Sequence, residues 1–526
     1  MQRRRFIKEL GVLGATSCLA LHGVRGFSES GNAVNGTGGK PAPSGLTIHP
    51  DNPRYFLFRG RPLVLLAASE HYGSIVNRRF DFESYLQDAA ARKQTVTRTF
   101  ALYRELQSAR NPYSPLKAES PDYITPWTRT GPGRARDGEL KFDLDHWNPE
   151  YFERLHRFLS KASQLGIVVE LTLLSNTYSD DCWDLNPLRE GNNLQGVGDI
   201  KWQEYLSRRD PKLFERQVSH IRKIAQETSK YDNVYYEICN EPGGGFPNEP
   251  SPTEVDEWQQ AIATVLREEM NKLGRTHLVS GQNAFAYEPE FFQGFDASYA
   301  GTMLDIVNVH PLPHLTLKGR QYELGNFMSK ELQLGEFRNF FLTANKESKP
   351  TVSDEDNDAS MYVDDIGWTI HRKRAWMAVF CGAHYDFIDF SIQAHLEGGT
   401  LESQNKIRNW IKHLSEFISS FDFIHAGTEQ DWIASVPEHT VGAGLSIRGR
   451  DYAGYIADSR EVTETAAGNA IQGEITARLP EGNYSLNFYS PTTGENFDSR
   501  KIKGGDIKIR VNAFQQDLAF RITLAR

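Results

Sequence analysis

The stretch "NVYYEICNEPGGG", Asn233 to Gly245, sets an apolar run against Asn240, Glu241 and Pro242, and then against three glycines. A solvated surface glutamate has no need of a place at the tip of a buried strand. A catalytic one does, provided that a partner carboxylate arrives from elsewhere in the chain. The glycines after Pro242 read as a floppy loop. Two things must then be found: the partner, and the scaffold that brings the two together.

Outward from this run, short β-prone stretches alternate with longer helical patterns. The stretches are "PLVLLAAS" (Pro62–Ser69), "TVTRTFAL" (Thr95–Leu102), "IVVELTLL" (Ile167–Leu174), "NVYYEICN" (Asn233–Asn240), "HLVS" (His277–Ser280), "DIVNVH" (Asp305–His310), "PTVSDE" (Pro350–Glu355) and "YDFIDFS" (Tyr385–Ser391). Most are weakly alternating and rich in Val, Ile, Leu, Thr or aromatics, as strands buried on both faces should be. Amphipathic patterns such as "PEYFERLHRFLSKASQLG" and "TEVDEWQQAIATVLREEMNKLG" lie between them and stop at glycine. Eight strands with helical crossovers favour a closed α/β architecture, the (β/α)8 TIM barrel, over an open doubly wound sheet. The fifth and sixth units are the least regular.

The flanks read differently. "RRRFIKEL" followed by "GVLGATSCLALHG" gives a basic head and a short apolar stretch, too short to span a bilayer. Arg3, Arg4, Phe6, Ile7 and Lys8 resemble the twin-arginine export signal, which implies an exported, periplasmic or extracellular bacterial protein. Residues 1–26 are assigned to this signal and 27–45, rich in Gly, Pro, Ser and Asn, to a flexible linker. The barrel takes 46–425. Beyond it, short strand patterns with Gly, Pro and Asn turns and no long helical pattern predict an antiparallel β-sandwich over 426–526.

Composition narrows the function classes. The 526 residues carry a formal charge of −9 and no basic block, which disfavours nucleic-acid phosphates and anionic membranes as partners. No stable membrane insertion is expected, and the oligomeric state is left open. After the signal, Cys182, Cys239 and Cys381 are an odd trio in distant segments, not a disulfide framework. No zinc spacing, phosphate-cradling loop or dinucleotide fingerprint is present, so no cofactor and no metal are expected.

In a barrel of this kind functional groups collect at the C-terminal tips of the strands. Asn240 and Glu241 close the fourth stretch, and Glu355 ends the seventh. The intervening segment covers three strand-and-helix units, enough to bring both glutamates to one rim. Two carboxyl groups about 5 Å apart across such a mouth make the retaining glycosidase arrangement. Glu355 has acidic neighbours in "DEDND". Strand alternation turns Asp354 and Asp356 away from the mouth if Glu355 points into it. A calcium loop with Asp354, Asp356, Asp358 and Asp365 is disfavoured, because Ala359 stands where the sharp turn requires glycine. Glu336, the rival nucleophile in "LQLGEFRNF", lies in a helical pattern that faces the barrel exterior.

"NEP" ending a fourth strand, "KPTVSDE" for a seventh and "TVTRTF" with Arg98 for a second resemble the clan A glycoside hydrolases across 46–425. The opening "HPDNPRYFLFRGRPLVLLA" and the trailing sandwich are similar to the bacterial apiosidase-like branch of these enzymes. The resemblance implies Glu241 as acid/base and Glu355 as nucleophile. It also implies that Asn240 binds the sugar 2-hydroxyl and that Arg98 orients the nucleophile. The tryptophan many of these enzymes carry at the end of strand eight is absent from "FIDFSI", which bears on the substrate more than on the chemistry.

His310 at the sixth tip is a candidate sugar contact or support for the nucleophile. Glu70 and His71, ending strand one, and Asn283 after strand five are further substrate-binding candidates. Trp183, Trp202 and Trp368 are read as core before sugar platforms. The expected function is a secreted retaining glycosidase acting on a poly- or oligosaccharide. The alternatives are a transglycosylase that shares its covalent intermediate, and a non-catalytic glycan-binding protein on a relic barrel.

Overall fold

The computed structural model describes residues 45–69, 71, 73–102, 122–245, 249–287, 292–324, 331–356, 364–388 and 401–525. The export signal, the linker before Gly45, and Glu70 lie outside the described residues.

Seven parallel strands follow one another as hydrogen-bonded neighbours: Val96–Phe100, Val168–Ser175, Val234–Asn240, Val279–Gly281, Ile306–Val309, Thr351–Asp356 and His384–Phe387. These are strands two to eight of the barrel. Residues 65–69 are strand one and close the ring. The N–H groups of Ala67 and Ser69 donate to the carbonyls of Tyr385 and Phe387 at 3.1 and 3.0 Å. On the other side, Thr95 and Phe100 donate to Leu66 and His71, both at 3.0 Å. The (β/α)8 barrel is thus formed from the eight stretches read in the sequence.

Helix starts follow local chemistry. The helices Pro149–Gln164, Pro211–Thr228 and Pro252–Lys272 each place proline in the first turn, where its missing N–H costs nothing. Asn148, Asp210 and Ser251 accept from the exposed N–H groups just inside. The fifth unit keeps only a short helix, Asp296–Ala300, which is why its sequence pattern is faint. Among the described residues no helix is long and apolar enough to cross a membrane.

The two ends of the barrel differ. A three-stranded antiparallel sheet, Leu46–Ile48, Phe56–Phe58 and Arg61–Leu63, packs Leu46, Phe56 and Phe58 against Val96, Val168, Tyr235 and Val352 at the strand starts. That apolar plug closes the N-terminal end. Above the opposite rim, Gly243–Gly244, Phe285–Ala286, Phe292–Gly294, His314–Leu317 and Arg320–Glu323 form a separate five-stranded sheet. Gly243 and Gly244 are part of this sheet and not a floppy loop, and Gly245 after them donates to the Pro250 carbonyl at 2.9 Å. A Cβ on Gly243 would lie 2.7 Å from the Phe285 ring, and one on Gly244 would lie 2.5 Å from the Pro250 carbonyl oxygen. Close approach of neighbours, not looseness, requires glycine here.

The C-terminal strands Ile433–Ser435, Thr440–Ile447, Asp451–Asp458, Ile471–Ser490, Glu495–Phe514 and Asp517–Leu524 form one antiparallel sheet. Ile471–Ser490 pairs at its start with Ile433–Ser435 and at its end with Asp517–Leu524, so the sheet doubles over a core of Trp432, Tyr452, Ile475, Leu486 and Phe520. This is the expected β-sandwich. Its outer face packs on the barrel helix Asp365–Phe380, where Trp376 stacks on Tyr455 with ring centroids 5.4 Å apart. Arg372 donates twice to Asp517, each at 2.8 Å, in the same buried seam.

Candidate active site

Three residues at the open end have left-handed backbone without being glycine: Glu241 (φ 44°), Glu355 (φ 51°) and Tyr178 (φ 60°). Such a conformation costs an L-residue about 1–2 kcal/mol and concentrates at functional sites. At Glu355 it coincides with a register shift between Ser353 and Asp356 against strand eight. The shift overturns the expected alternation. Asp354 does not turn away: it points into the barrel and meets Arg98 Nε at 3.2 Å. Asp356 does turn away, to a buried ion pair with Arg374 at 2.9 Å. The bend after Asp354 lets two successive acids serve the interior.

Glu241 and Glu355 converge on one imidazole. His310 Nδ1 lies 3.5 Å from Glu241 Oε1 and 3.8 Å from Glu355 Oε2. The two oxygens are therefore separated by no more than the sum of those distances, which includes the retaining range of about 5–5.5 Å and reaches only the lower edge of the inverting range. Burial works against the charged form of His310. The hydrogen bond to Glu241 and the charge of Glu355 outweigh it and hold the imidazole above its usual range.

Arg98, on strand two and fully buried, organises the group from below. Its Nη1 donates to Glu355 Oε2 at 2.6 Å and its Nη2 to Asn240 Oδ1 at 2.7 Å. Glu237, one strand-turn before Asn240, takes the guanidinium through both oxygens, at 2.8 Å and 2.6 Å from Nη2. Burial opposes the charge of Arg98, and Asp354, Glu237 and Glu355 more than restore it. The amide of Asn240 is engaged at both ends, since Nδ2 donates to the Tyr178 hydroxyl at 2.7 Å.

His71 is placed beneath Glu355, beside Arg98. Its Nδ1 is 3.2 Å from Arg98 Nη1 and its Nε2 is 3.2 Å from Asp386 Oδ2. Accepting from an arginine at Nδ1 leaves the ring proton on Nε2, where it donates to Asp386. Burial, then the neighbouring Arg98, push the imidazole down to about 3, so it is neutral.

The sequence reading missed the carboxylates under this layer. Glu170, Glu237, Asp354 and Asp386 are all buried inside the barrel. Asn308 Nδ2 lies 3.1, 3.2 and 3.3 Å from oxygens of Glu170, Glu237 and Asp354, although an amide has only two hydrogens to give. Burial raises Glu170 to about 7 and Asp386 to about 7, and carries Asp354 well above the carboxylate range. A signal was available: Glu170 in "VVELTLL" and Glu237 in "VYYEICN" are charges in the middle of doubly buried strands, tolerable only with partners.

Two trios, His71–Asp354–Asp386 and Glu237–His310–Asp354, are close enough to share a metal ion. Arg98 already touches His71, Glu237 and Asp354, and supplies the positive charge a metal would bring. A ligand at His71 Nε2 would also have to displace the proton that Arg98 fixes there.

The other candidates lie elsewhere. Asn283 is spent on Asp256, to which its Nδ2 donates at 3.0 Å, and on Ser298 Oγ, 2.5 Å from its Oδ1. No contact brings it to the glutamates. Glu70 is outside the described residues. Glu336 sits on the helix Leu334–Ala344 in an exterior ion pair with Arg320 at 2.9 Å. Of the calcium-loop candidates, Asp354 turns to Arg98, Asp356 to Arg374, and Asp365 to Lys406 at the surface. Trp183, Trp202 and Trp368 are buried.

No protein-family model matches the chain, and no curated protein matches it in sequence. Solved structures do match it in shape. One described as a glycoside hydrolase superposes with a TM-score of 0.57 at 12% identity, over 92% of this chain and 98% of its own. A family 5 glycoside hydrolase from Bacteroides vulgatus ATCC 8482 gives 0.58 at 12% identity, over 92% of this chain and 93% of its own. The fold is shared with glycoside hydrolases. Both superpositions extend over more than nine-tenths of each chain.

Proposed function

We propose that this chain is a retaining glycoside hydrolase that cleaves O-glycosidic bonds of a poly- or oligosaccharide by double displacement. The observation that carries the reading is the meeting of Glu241 and Glu355 at the single nitrogen of His310, with Arg98 bonded to Glu355. Glu355 attacks the anomeric carbon. Glu241 gives its proton to the departing glycosidic oxygen, and the bonding electron pair leaves with that oxygen. In the second half Glu241 takes a proton from water, whose oxygen displaces Glu355 from the sugar. The Arg98 guanidinium stabilises the ionised nucleophile before attack and the carboxylate released at the end.

The likeness in fold to glycoside hydrolases supports the same reading, without specifying a sugar. The apiosidase-like affinity, export through the amino-terminal signal and action on an extracellular glycan belong to the proposal. The test is a screen of aryl glycosides and polysaccharides with purified protein, followed by NMR of the first-formed anomer. Release of sugar with retained configuration is expected. Inverted product, or no turnover of any glycoside, overturns the reading.

A further inference from the structure

Tyr178 follows strand three in "LLSNTYSD" and packs its ring against Phe100, which ends strand two. Its hydroxyl donates to Glu241 Oε2 at 2.6 Å and accepts from Asn240 Nδ2 at 2.7 Å. Asn240 Oδ1 accepts from Arg98 Nη2, and Arg98 Nη1 donates to Glu355. On the other side His310 Nδ1 spans both glutamates. Glu355, Arg98, Asn240, Tyr178, Glu241 and His310 therefore form a closed ring. Arg98 holds the nucleophile directly, and the relay through Asn240 and Tyr178 reaches the acid/base.

We propose that Tyr178 is the positioning residue of the acid/base: it anchors Glu241 Oε2 and so leaves Oε1 to exchange the proton with the leaving oxygen and then with water. This deepens, and rests on, the glycosidase reading above. A carboxylate at a strand tip can rotate about its terminal bonds, and a misdirected acid loses rate steeply. The short bond at Oε2 fixes that rotation. The backbone is shaped for it, since Tyr178 and Glu241 both take positive φ and Asn176 Nδ2 donates to the Glu241 carbonyl at 3.0 Å. A hydroxyl that donates to the ionised carboxylate also favours that form, so its loss raises the proton affinity of Glu241. The other charged or titratable groups facing Glu241 in the ring are His310 on strand six and Glu355 on strand seven, with Arg98 behind them.

The experiment is Tyr178→Phe, which keeps the ring and removes only the hydroxyl. Two readouts are taken: kcat/KM for an alkyl and a dinitrophenyl glycoside, and the titration of Glu241 followed by carboxyl 13C NMR, assigned with Glu241→Gln. The expected loss is at least about tenfold larger for the alkyl glycoside, which needs acid assistance, than for the dinitrophenyl glycoside. The Glu241 titration should move up by about one unit. Equal losses for both substrates, or an unmoved titration, overturn the assignment. Should the wild type turn over no glycoside at all, the glycosidase reading fails. The titration then still decides whether Tyr178 governs Glu241.

Discussion

Arg98 and Glu355 meet at 2.6 Å, the guanidinium fully buried and the carboxylate nearly so. This bond joins two layers that the sequence presents separately: the rim that carries Glu241 and Glu355, and an acidic interior beneath it. Whatever disturbs one is felt in the other.

Arg98→Lys should therefore damage both stability and turnover. An ammonium is a point charge and cannot serve Glu237 through both oxygens while also reaching Glu355 and Asn240. Breaking a buried charge arrangement costs about 3–5 kcal/mol. Urea unfolding should show a loss of that order, with activity falling by at least about a hundredfold. A lysine variant near wild type in both would mean that Arg98 does not organise the site.

Glu355→Ala should remove hydrolysis and leave the fold intact, because Arg98 keeps Glu237 and Asp354 as partners. Azide should enter the vacated space and restore turnover of an activated aryl glycoside, with inverted glycosyl azide as product. Undiminished turnover by the alanine variant would move the nucleophile elsewhere.

The buried acids make stability depend on pH in a stated direction. Burial raises Glu170 and Asp386 to about 7 and Asp354 well above its ordinary range. In the folded state these groups hold protons that the unfolded chain has lost above about pH 4. Their contribution is full below that point and is lost progressively as pH rises from there through about 7. Glu170→Gln, a neutral isostere, should flatten the fall in melting temperature between about pH 4.5 and 7, the window between its unfolded and folded values. An unchanged slope would show that Glu170 is ionised throughout.

Removal of residues from 426 onward should give insoluble or heat-labile protein. It would expose Trp376, Phe380 and Phe417, which pack on Tyr455 and Tyr489, and would leave Arg372 without Asp517. The sandwich is on this reading a structural module. A soluble truncation with full activity on small glycosides, and weakened only toward insoluble glycan, would make it a carbohydrate-binding module instead.

Strand positions were legible because doubly buried strands write themselves as apolar runs, and most of the eight do so here. Glu241, Glu355, Asn240 and Arg98 could be placed because each ends or interrupts such a run. Asp354 could not: alternation sends it outward, and only the bend at Glu355 brings it in. Tyr178 was invisible for another reason. It lies past the end of strand three, in a stretch with no periodicity, and only the folded loop brings its hydroxyl to Glu241. Asn283 illustrates the converse, a polar residue at a strand tip whose partners lie behind the rim.

The left-handed backbone at Glu241 and Glu355 makes each of these positions a local cost to stability. Glycine would occupy either position without the steric cost that glutamate bears, about 1–2 kcal/mol at each. Replacing either residue by glycine would relieve that strain, but at 355 it would also take a carboxylate away from the buried Arg98.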